Sequence, residues 1–330
     1  MEPIQLGSLT VYPYGLAVAL AAAIGLLWMG ANGKKMGLKN GAVSIFAVLA
    51  VPLGTILSHM VYSLIRFDWL TEKGFDHIVC LTDGGFTLYG TMLGCFLAAL
   101  IAARCSKVSL GKLLDAAAAP AAMTIALCRL AEGLVGQGYG RYLSDWFDGE
   151  SGMSVFALED TSFLEHFPFA VEDMYEEWCW AVFVLEAVFA LVMMLVLLKT
   201  KTQRSGSKMA LLLLLYAAAQ ALCEGLREDA VLRWGFVRVN QILSAVVIAG
   251  VLLWSILRLP KKQRKLKQII LAWCGTLCGM LLVLAMEFAV EKKIVFLEWL
   301  PMDMCYLITA LAGVLMVCCI LPLWRKQDRA

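Results

Sequence analysis

The sequence predicts an all-α, polytopic helical membrane protein, and three observations carry that prediction. Of 330 residues, 61% are apolar and only 16% are charged, whereas a soluble domain is about 45–50% apolar and about 25% charged. The mean hydropathy of +0.77 excludes a disordered chain, because disorder needs low hydrophobicity and high charge. The apolar residues gather into nine stretches near the length of about 20 residues that a helix needs to cross a bilayer. A net charge of +2 is too small for a nucleic-acid-binding surface.

The expected spans cover residues 13–31, 41–65, 86–103, 113–136, 179–198, 209–226, 239–259, 268–290 and 304–324. All are expected to be helices, since lipid cannot satisfy an open backbone. The first reads as a true span rather than a cleavable signal peptide. No Lys or Arg precedes it, and its basic flank, Lys34 and Lys35, follows it.

Charge sets the expected orientation. With the N-terminus outside, segments 32–40, 104–112, 199–208, 258–267 and 325–330 face inward. They hold 19 of the 28 lysines and arginines, whereas 20 of the 26 acids face outward. Every loop then obeys the positive-inside rule, with the C-terminus inside. The run 261–267 reads as a topology signal that meets anionic lipid. Segment 137–178 is the one sizeable extramembrane region, with ten acids and a single arginine. It contains Trp146, Phe147, Phe156, Phe163, Phe167, Phe169 and Tyr175, among other aromatics, which suit either a headgroup-level loop or an outer lid over a substrate.

The eleven cysteines form no framework; nine lie inside apolar stretches and read as small buried residues. A Cys80–Cys179 disulfide is an open alternative. No Cys/His cluster suggests zinc. His59 reads as a satisfied packing residue or a substitute base, and His77 and His166 as solvated loop residues.

Ionisable residues inside spans are costly and mark functional candidates. These are Asp115, Arg129, Glu132, Glu186, Glu224 and Glu287. Arg129 and Glu132 are three residues apart on one helical face and can pair. Tyr216, Gln220 and Glu224 stack at spacings of four. Asn240 and Gln241 open the seventh span; Tyr12 and Tyr14 open the first. Glycines crowd the start of the third span (84, 85, 90, 94) and the end of the fourth (133, 136, 138, 140), where they permit broken backbone or close helix approach. Asp115 reads as a snorkelling surface acid. Glu186 and Glu287 have no evident partner. Five spans thus bring polar or glycine-rich ends to the outer leaflet. An arginine there suits a lipid phosphate, because its planar fork matches phosphate oxygens.

The stretch Cys128-Arg129-Leu130-Ala131-Glu132-Gly133-Leu134-Val135-Gly136-Gln137-Gly138-Tyr139-Gly140-Arg141 resembles the signature of the prolipoprotein diacylglyceryl transferase family. Four more segments resemble that family's motifs in order: Tyr14-Gly15-Leu16, Gly84 to Gly90, Tyr216 through Glu224 to Arg227, and Gln241-Ile242-Leu243-Ser244. The resemblance covers roughly residues 10–255. It implies a seven-span core over residues 1–259, with the 137–178 segment as an outer insertion and residues 260–330 as a two-span extension.

The resemblance further implies a multi-pass enzyme of the bacterial plasma membrane with its site on the outer leaflet. Family enzymes move the diacylglyceryl group of phosphatidylglycerol to the lipobox cysteine thiol of a prolipoprotein, so a lipid and a signal peptide are the implied partners, with no cofactor and no metal. Arg129, Tyr89, Glu132 and Glu224 would be the catalytic positions. Tyr14, Gln137, Gly140, Arg141, Tyr216, Gln220, Arg227 and Gln241 would bind substrate. Four positions depart from the family pattern. Tyr89 replaces a histidine, Gln220 an arginine, Glu132 an asparagine and Gln137 a glutamate. Glu132 would serve as base or merely neutralise Arg129. The alternative is a divergent member without this activity, which acts on another outer-leaflet lipid or simply binds lipid.

Overall fold

The computed structural model describes residues 4–6, 9–81, 84–147, 161–173, 175–229, 232–235, 237–293 and 295–329. Among them, nine helices are long and apolar enough to cross a membrane. These are α1 (Pro13–Lys35), α2 (Asn40–Ile65), α4 (Leu88–Ser106), α5 (Leu110–Glu132), α7 (Val182–Lys199), α8 (Ser207–Leu226), α9 (Val239–Arg258), α10 (Leu266–Val290) and α11 (Met302–Arg329). Two short helices, α3 (Phe67–Lys73) and α6 (Leu143–Phe147), lie in connections. Short 3-10 turns and three antiparallel hairpins are also described: β1 (Ile4–Leu6) with β2 (Leu9–Val11), β3 (Ala170–Glu172) with β4 (Trp178–Trp180), and β5 (Arg233–Trp234) with β6 (Val237–Arg238). The protein is an all-α multi-pass membrane protein.

The nine expected spans match these helices to within a few residues at most ends, and two of the differences have a local structural cause. The fourth stops as α-helix at Glu132 and continues as one 3-10 turn, Gly133–Val135. The fifth begins at Val182, because Cys179 belongs to β4, paired with Val171 of β3. Cys179 is a buried free thiol.

Small residues decide the packing. The alanine-rich face of α5, with Ala116, Ala118, Ala122 and Ala126 buried, lets α1, α7 and α8 close around it. The α2/α4 pair is equally tight. A Cβ on Gly94 would lie 2.3 Å from the Leu53 carbonyl oxygen, and one on Gly90 would lie 2.6 Å from Ser58 Cα. Gly90 and Gly94 therefore serve close approach, whereas Gly84 and Gly85 take positive φ before α4, which runs unbroken from Leu88. Leu16, Leu20, Leu27 and Val48 face outward, as expected against hydrocarbon.

At the bundle end opposite segment 137–178, Asp115 departs from its expected place. It is buried and caps α8, accepting N–H bonds from Gly206 (2.7 Å) and Met209 (3.1 Å). A helix leaves its first N–H groups unpaired, and a carboxylate there meets the positive end of the dipole. Asp115 is structural, not a surface acid. Nearby, Asp328 accepts from the Gln203 and Arg204 amides, and Arg204 donates to the carbonyls of Arg258 and Gln327.

Within segment 137–178, Leu143, Leu164 and Ala170 make a small core with Trp178 and Trp180. Phe163, Phe167, Phe169 and Tyr175 are exposed, whereas Trp146 packs edge-on against Trp180. Phe156 and the Phe147 side chain lie outside the described residues.

Candidate functional site

The site is assembled where α5 and α8 end. Arg129 sits one turn before the end of α5 and is buried among polar partners. Its Nη1 donates to Glu132 Oε1 at 2.6 Å, and its Nε lies 3.3 Å from Glu186 Oε2. Its Nη2 donates to the Tyr216 hydroxyl (3.2 Å) and to Gln220 Oε1 (3.1 Å). Arg227, the first residue past α8, mirrors it. Its Nη1 donates to Glu132 Oε2 (2.9 Å) and Glu186 Oε2 (3.3 Å), while Nε and Nη2 grip both oxygens of Asp229. Two arginines are thus tied through two shared carboxylates. A buried charge is tolerated only when paired in this way.

The expected ladder on α8 forms. The Tyr216 hydroxyl donates to Gln220 Oε1 (2.8 Å), and Gln220 Nε2 donates to Glu224 Oε2 (3.1 Å). Glu224 also accepts from Asn240 Nδ2 (3.1 Å). Tyr89 reaches the same cluster from α4. Its hydroxyl is 2.5 Å from Ser244 Oγ, and its ring meets Tyr216 edge-on. Ser244 already donates to the Asn240 carbonyl (2.8 Å), so the tyrosine hydroxyl is the donor.

The α5–α7 connection closes over this centre. Gly138 has φ +78°, and its N–H donates to Asp229 Oδ2 at 2.6 Å. A Cβ there would lie 2.7 Å from Phe183 Cβ and 2.9 Å from Glu132 Oε2, so only glycine lets the backbone pass so near the carboxylate. Gly140 bridges to Arg227. Arg141 lies 3.6 Å from Glu228 and beside Tyr306. Tyr14 lies within the field of Glu132, Arg129 and Arg227.

Gln137 is exposed and stands apart from the buried network. Gln241 points to the back of α8, donating to Glu287 Oε2 (3.0 Å) and the Ala221 carbonyl (3.2 Å). His59 is buried, with its ring nitrogens on the Gly85 and His77 carbonyls (3.1 and 3.0 Å); it is a packing residue. Burial and the nearby acids Asp173 and Glu177 push the Cys179 thiol up to about 12, so it is no nucleophile at neutral pH. A water-sized gap between α5, α7 and α8 is lined by Arg129, Glu186 and Gln220 together with Phe189 and Met193.

Sequence reasoning left Glu186 without a role and did not single out Asp229 or Arg238 as site residues. For Glu186 the signal was its lone charge in a span; the loop positions of Asp229 and Arg238 gave none.

A family model described as prolipoprotein diacylglyceryl transferase matches residues 2–257. The chain belongs to that family. Among curated relatives, the phosphatidylglycerol–prolipoprotein diacylglyceryl transferase of Listeria innocua is 28% identical over 253 residues, covering 74% of this chain and 84% of that protein. The enzyme of the same name from Bacillus licheniformis is 25% identical, covering 74% and 87%. That from Bacillus velezensis is 26% identical, covering 78% and 91%. The transferase family match ends within α9, so α10 and α11 lie beyond it.

Proposed function

We propose that the protein transfers the diacylglyceryl group of phosphatidylglycerol to the lipobox cysteine thiol of a prolipoprotein at the outer leaflet. On this reading the N-terminus is outside, the C-terminus is inside, and residues 1–259 are the catalytic core. The observation that carries it is the paired-arginine centre. Arg129 and Arg227 share Glu132 and Glu186 at the bundle end where α5 and α8 stop.

The reaction needs a thiolate, a held phosphate and alignment. The thiolate sulfur attacks the glyceryl carbon that bears the phosphate oxygen. A C–S bond forms, the C–O bond breaks, and glycerol phosphate leaves with the electron pair. Every guanidinium nitrogen of Arg129 has a partner in the resting site, so on this reading a phosphate that binds its fork enters by displacing a carboxylate. Glu132 is the one to leave, because it ends α5 beside the glycine-rich connection. Once freed, it takes the thiol proton. Arg227 and Arg129 then hold the charge on the departing phosphate, and Glu224, fixed by Gln220 and Asn240, orients the headgroup. Tyr216 and Gln220 steady Arg129, and Tyr89 braces Tyr216. Tyr14, Gly140 and Arg141 line the approach, and the 137–178 segment receives the signal peptide, with Gln137 at its exposed edge.

A second reading has an observation of its own. Three carboxylates, Glu132, Glu186 and Asp229, contact two guanidiniums, and a fourth, Glu224, adjoins them through Gln220. This excess favours a donor lipid whose headgroup is less anionic than phosphatidylglycerol.

The test is mass spectrometry of a lipobox peptide incubated with purified protein and phosphatidylglycerol in detergent. The expected result is a diacylglyceryl mass increment that falls by about 10²–10³ in Arg129→Ala, as for loss of a charge-stabilising donor. No increment from folded protein, beside an active family enzyme, overturns the reading. An increment from a zwitterionic donor alone establishes the second one.

A further inference from the structure

The last turn of α8 carries Glu224 and is followed directly by Arg227. The final carbonyls of a helix have no partner within it. Here they are taken by side chains, and two of the residues that organise them come from outside the family match. Arg238 is fully buried. Its Nη1 donates to the carbonyls of both Glu224 and Arg227. Its Nε is 2.5 Å from Glu287 Oε1 on α10. The other oxygen of Glu287 accepts from Gln241 Nε2 (3.0 Å), which also donates to the Ala221 carbonyl (3.2 Å). From α11, the Tyr306 hydroxyl donates to the Gly225 carbonyl at 3.0 Å. A Cβ on Gly225 would lie 3.5 Å from Gln241 Nε2, 3.5 Å from Tyr306 Cε1 and 3.6 Å from Glu287 Oε2, so all three groups converge on one point of the turn.

Tyr306 also faces the other way. Trp146 of the 137–178 segment stacks on its ring, with centroids 5.4 Å apart and planes at 14°, and the Arg141 guanidinium lies beside it. One side chain of α11 therefore joins the α8 turn, the glycine-rich connection and the loop insertion.

We propose that Glu287 and Tyr306 are positioning residues, through which the α10–α11 extension fixes the α8 turn that presents Glu224 and Arg227 to the reacting lipid. The inference rests on the transferase reading of the site. Neither residue reaches the reacting atoms. Glu287 acts through Arg238, whose buried guanidinium needs a counter-charge to stay between two carbonyls. A cation at the negative end of a helix is favourable in itself, but only a held one fixes direction.

The experiment measures transfer to a lipobox peptide by the full chain and by Glu287→Gln, Glu287→Asp and Tyr306→Phe, with the thermal midpoint of each. Glu287→Gln is expected to lower kcat by at least tenfold while KM for phosphatidylglycerol changes by less than about threefold, and Glu287→Asp to recover part of kcat. Tyr306→Phe, which removes one hydroxyl from an otherwise intact ring, is expected to lower kcat by about threefold to tenfold at an unchanged midpoint. That variant decides the matter if Glu287→Gln does not fold. Wild-type transfer with kcat unchanged in Tyr306→Phe and in folded Glu287→Gln overturns the positioning role and leaves the transferase reading standing. Absence of transfer by the wild type overturns the transferase reading and the positioning role with it.

Discussion

Glu132→Gln separates the two roles that a carboxylate between Arg129 and Arg227 can play. Its oxygens accept from Arg129 Nη1 at 2.6 Å and Arg227 Nη1 at 2.9 Å. Glutamine keeps the shape, but one acceptor becomes an NH2 that faces a guanidinium. The structural cost is one charge-assisted hydrogen bond, about 1.5–3 kcal/mol. If Glu132 only neutralises arginine, that cost appears as stability and transfer at pH 7 is largely kept. If Glu132 removes the thiol proton, transfer falls by about 10²–10⁴. The pH profile then identifies the cause. With a thiol pKa of about 8.5, roughly 3% of the acceptor cysteine is thiolate at pH 7 and roughly 90% at pH 9.5. The variant, dependent on spontaneous ionisation, should therefore gain about thirtyfold between these pH values, while the wild type gains far less. The assay is the initial rate of lipobox-peptide lipidation at saturating phosphatidylglycerol. A Glu132→Gln rate within about twofold of wild type at pH 7, or a deep loss without alkaline recovery, refutes the base assignment.

Three further predictions follow from individual contacts. Asp115→Ala strips the cap from α8 and should destabilise the protein by about 1–2 kcal/mol, read as a lowered thermal midpoint, with the lipidation rate of the folded fraction unchanged. Tyr89→Phe loses only the donation to Ser244 and should cost less than about tenfold in transfer, on the order of 1 kcal/mol; a loss beyond a hundredfold would assign the phenol a proton-transfer duty. At Asp173, desolvation works against the charge, but the Glu177 and Tyr175 amides and the Tyr142 hydroxyl hold the carboxyl below its usual range. A lowered acid stabilises the fold above its unfolded pKa and loses that contribution as pH falls through its folded one. Amide exchange at Tyr175 and Glu177 should thus be slow at pH 6 and lose protection below about pH 4, and Asp173→Asn should abolish the pH dependence.

Much of the fold was legible because a bilayer imposes a one-dimensional rule. Nine apolar stretches of bilayer length have to become helices, and α1 to α11 include one for each. Half of the site was legible for a related reason. Arg129–Glu132 and Tyr216–Gln220–Glu224 are local pairs at helical spacings, so the helix itself brings them together. Glu186, Asp229 and Arg238 escaped because their partners are far away in the chain. Glu186 meets Arg129 from α7, and Arg238 meets Glu287 across 49 residues. Asp115 was misread because the sequence shows only its neighbours along the chain, whereas its partners are amides 91 and 94 residues away.

The sequence by itself determined the class of protein, the number of spans, the expected orientation and the family. Each follows from composition, from charge flanking the spans or from short ordered motifs, and none needs to know which helix touches which. Only the tertiary structure decided that Glu132 and Glu186 are shared between Arg129 and Arg227, and that α10 and α11 reach the back of the α8 turn. Those facts depend on interhelical register. Small residues on α5, and Gly90 and Gly94 on α4, set how close the helices come, and a shift of one turn would carry each buried charge about 5.4 Å from its partner.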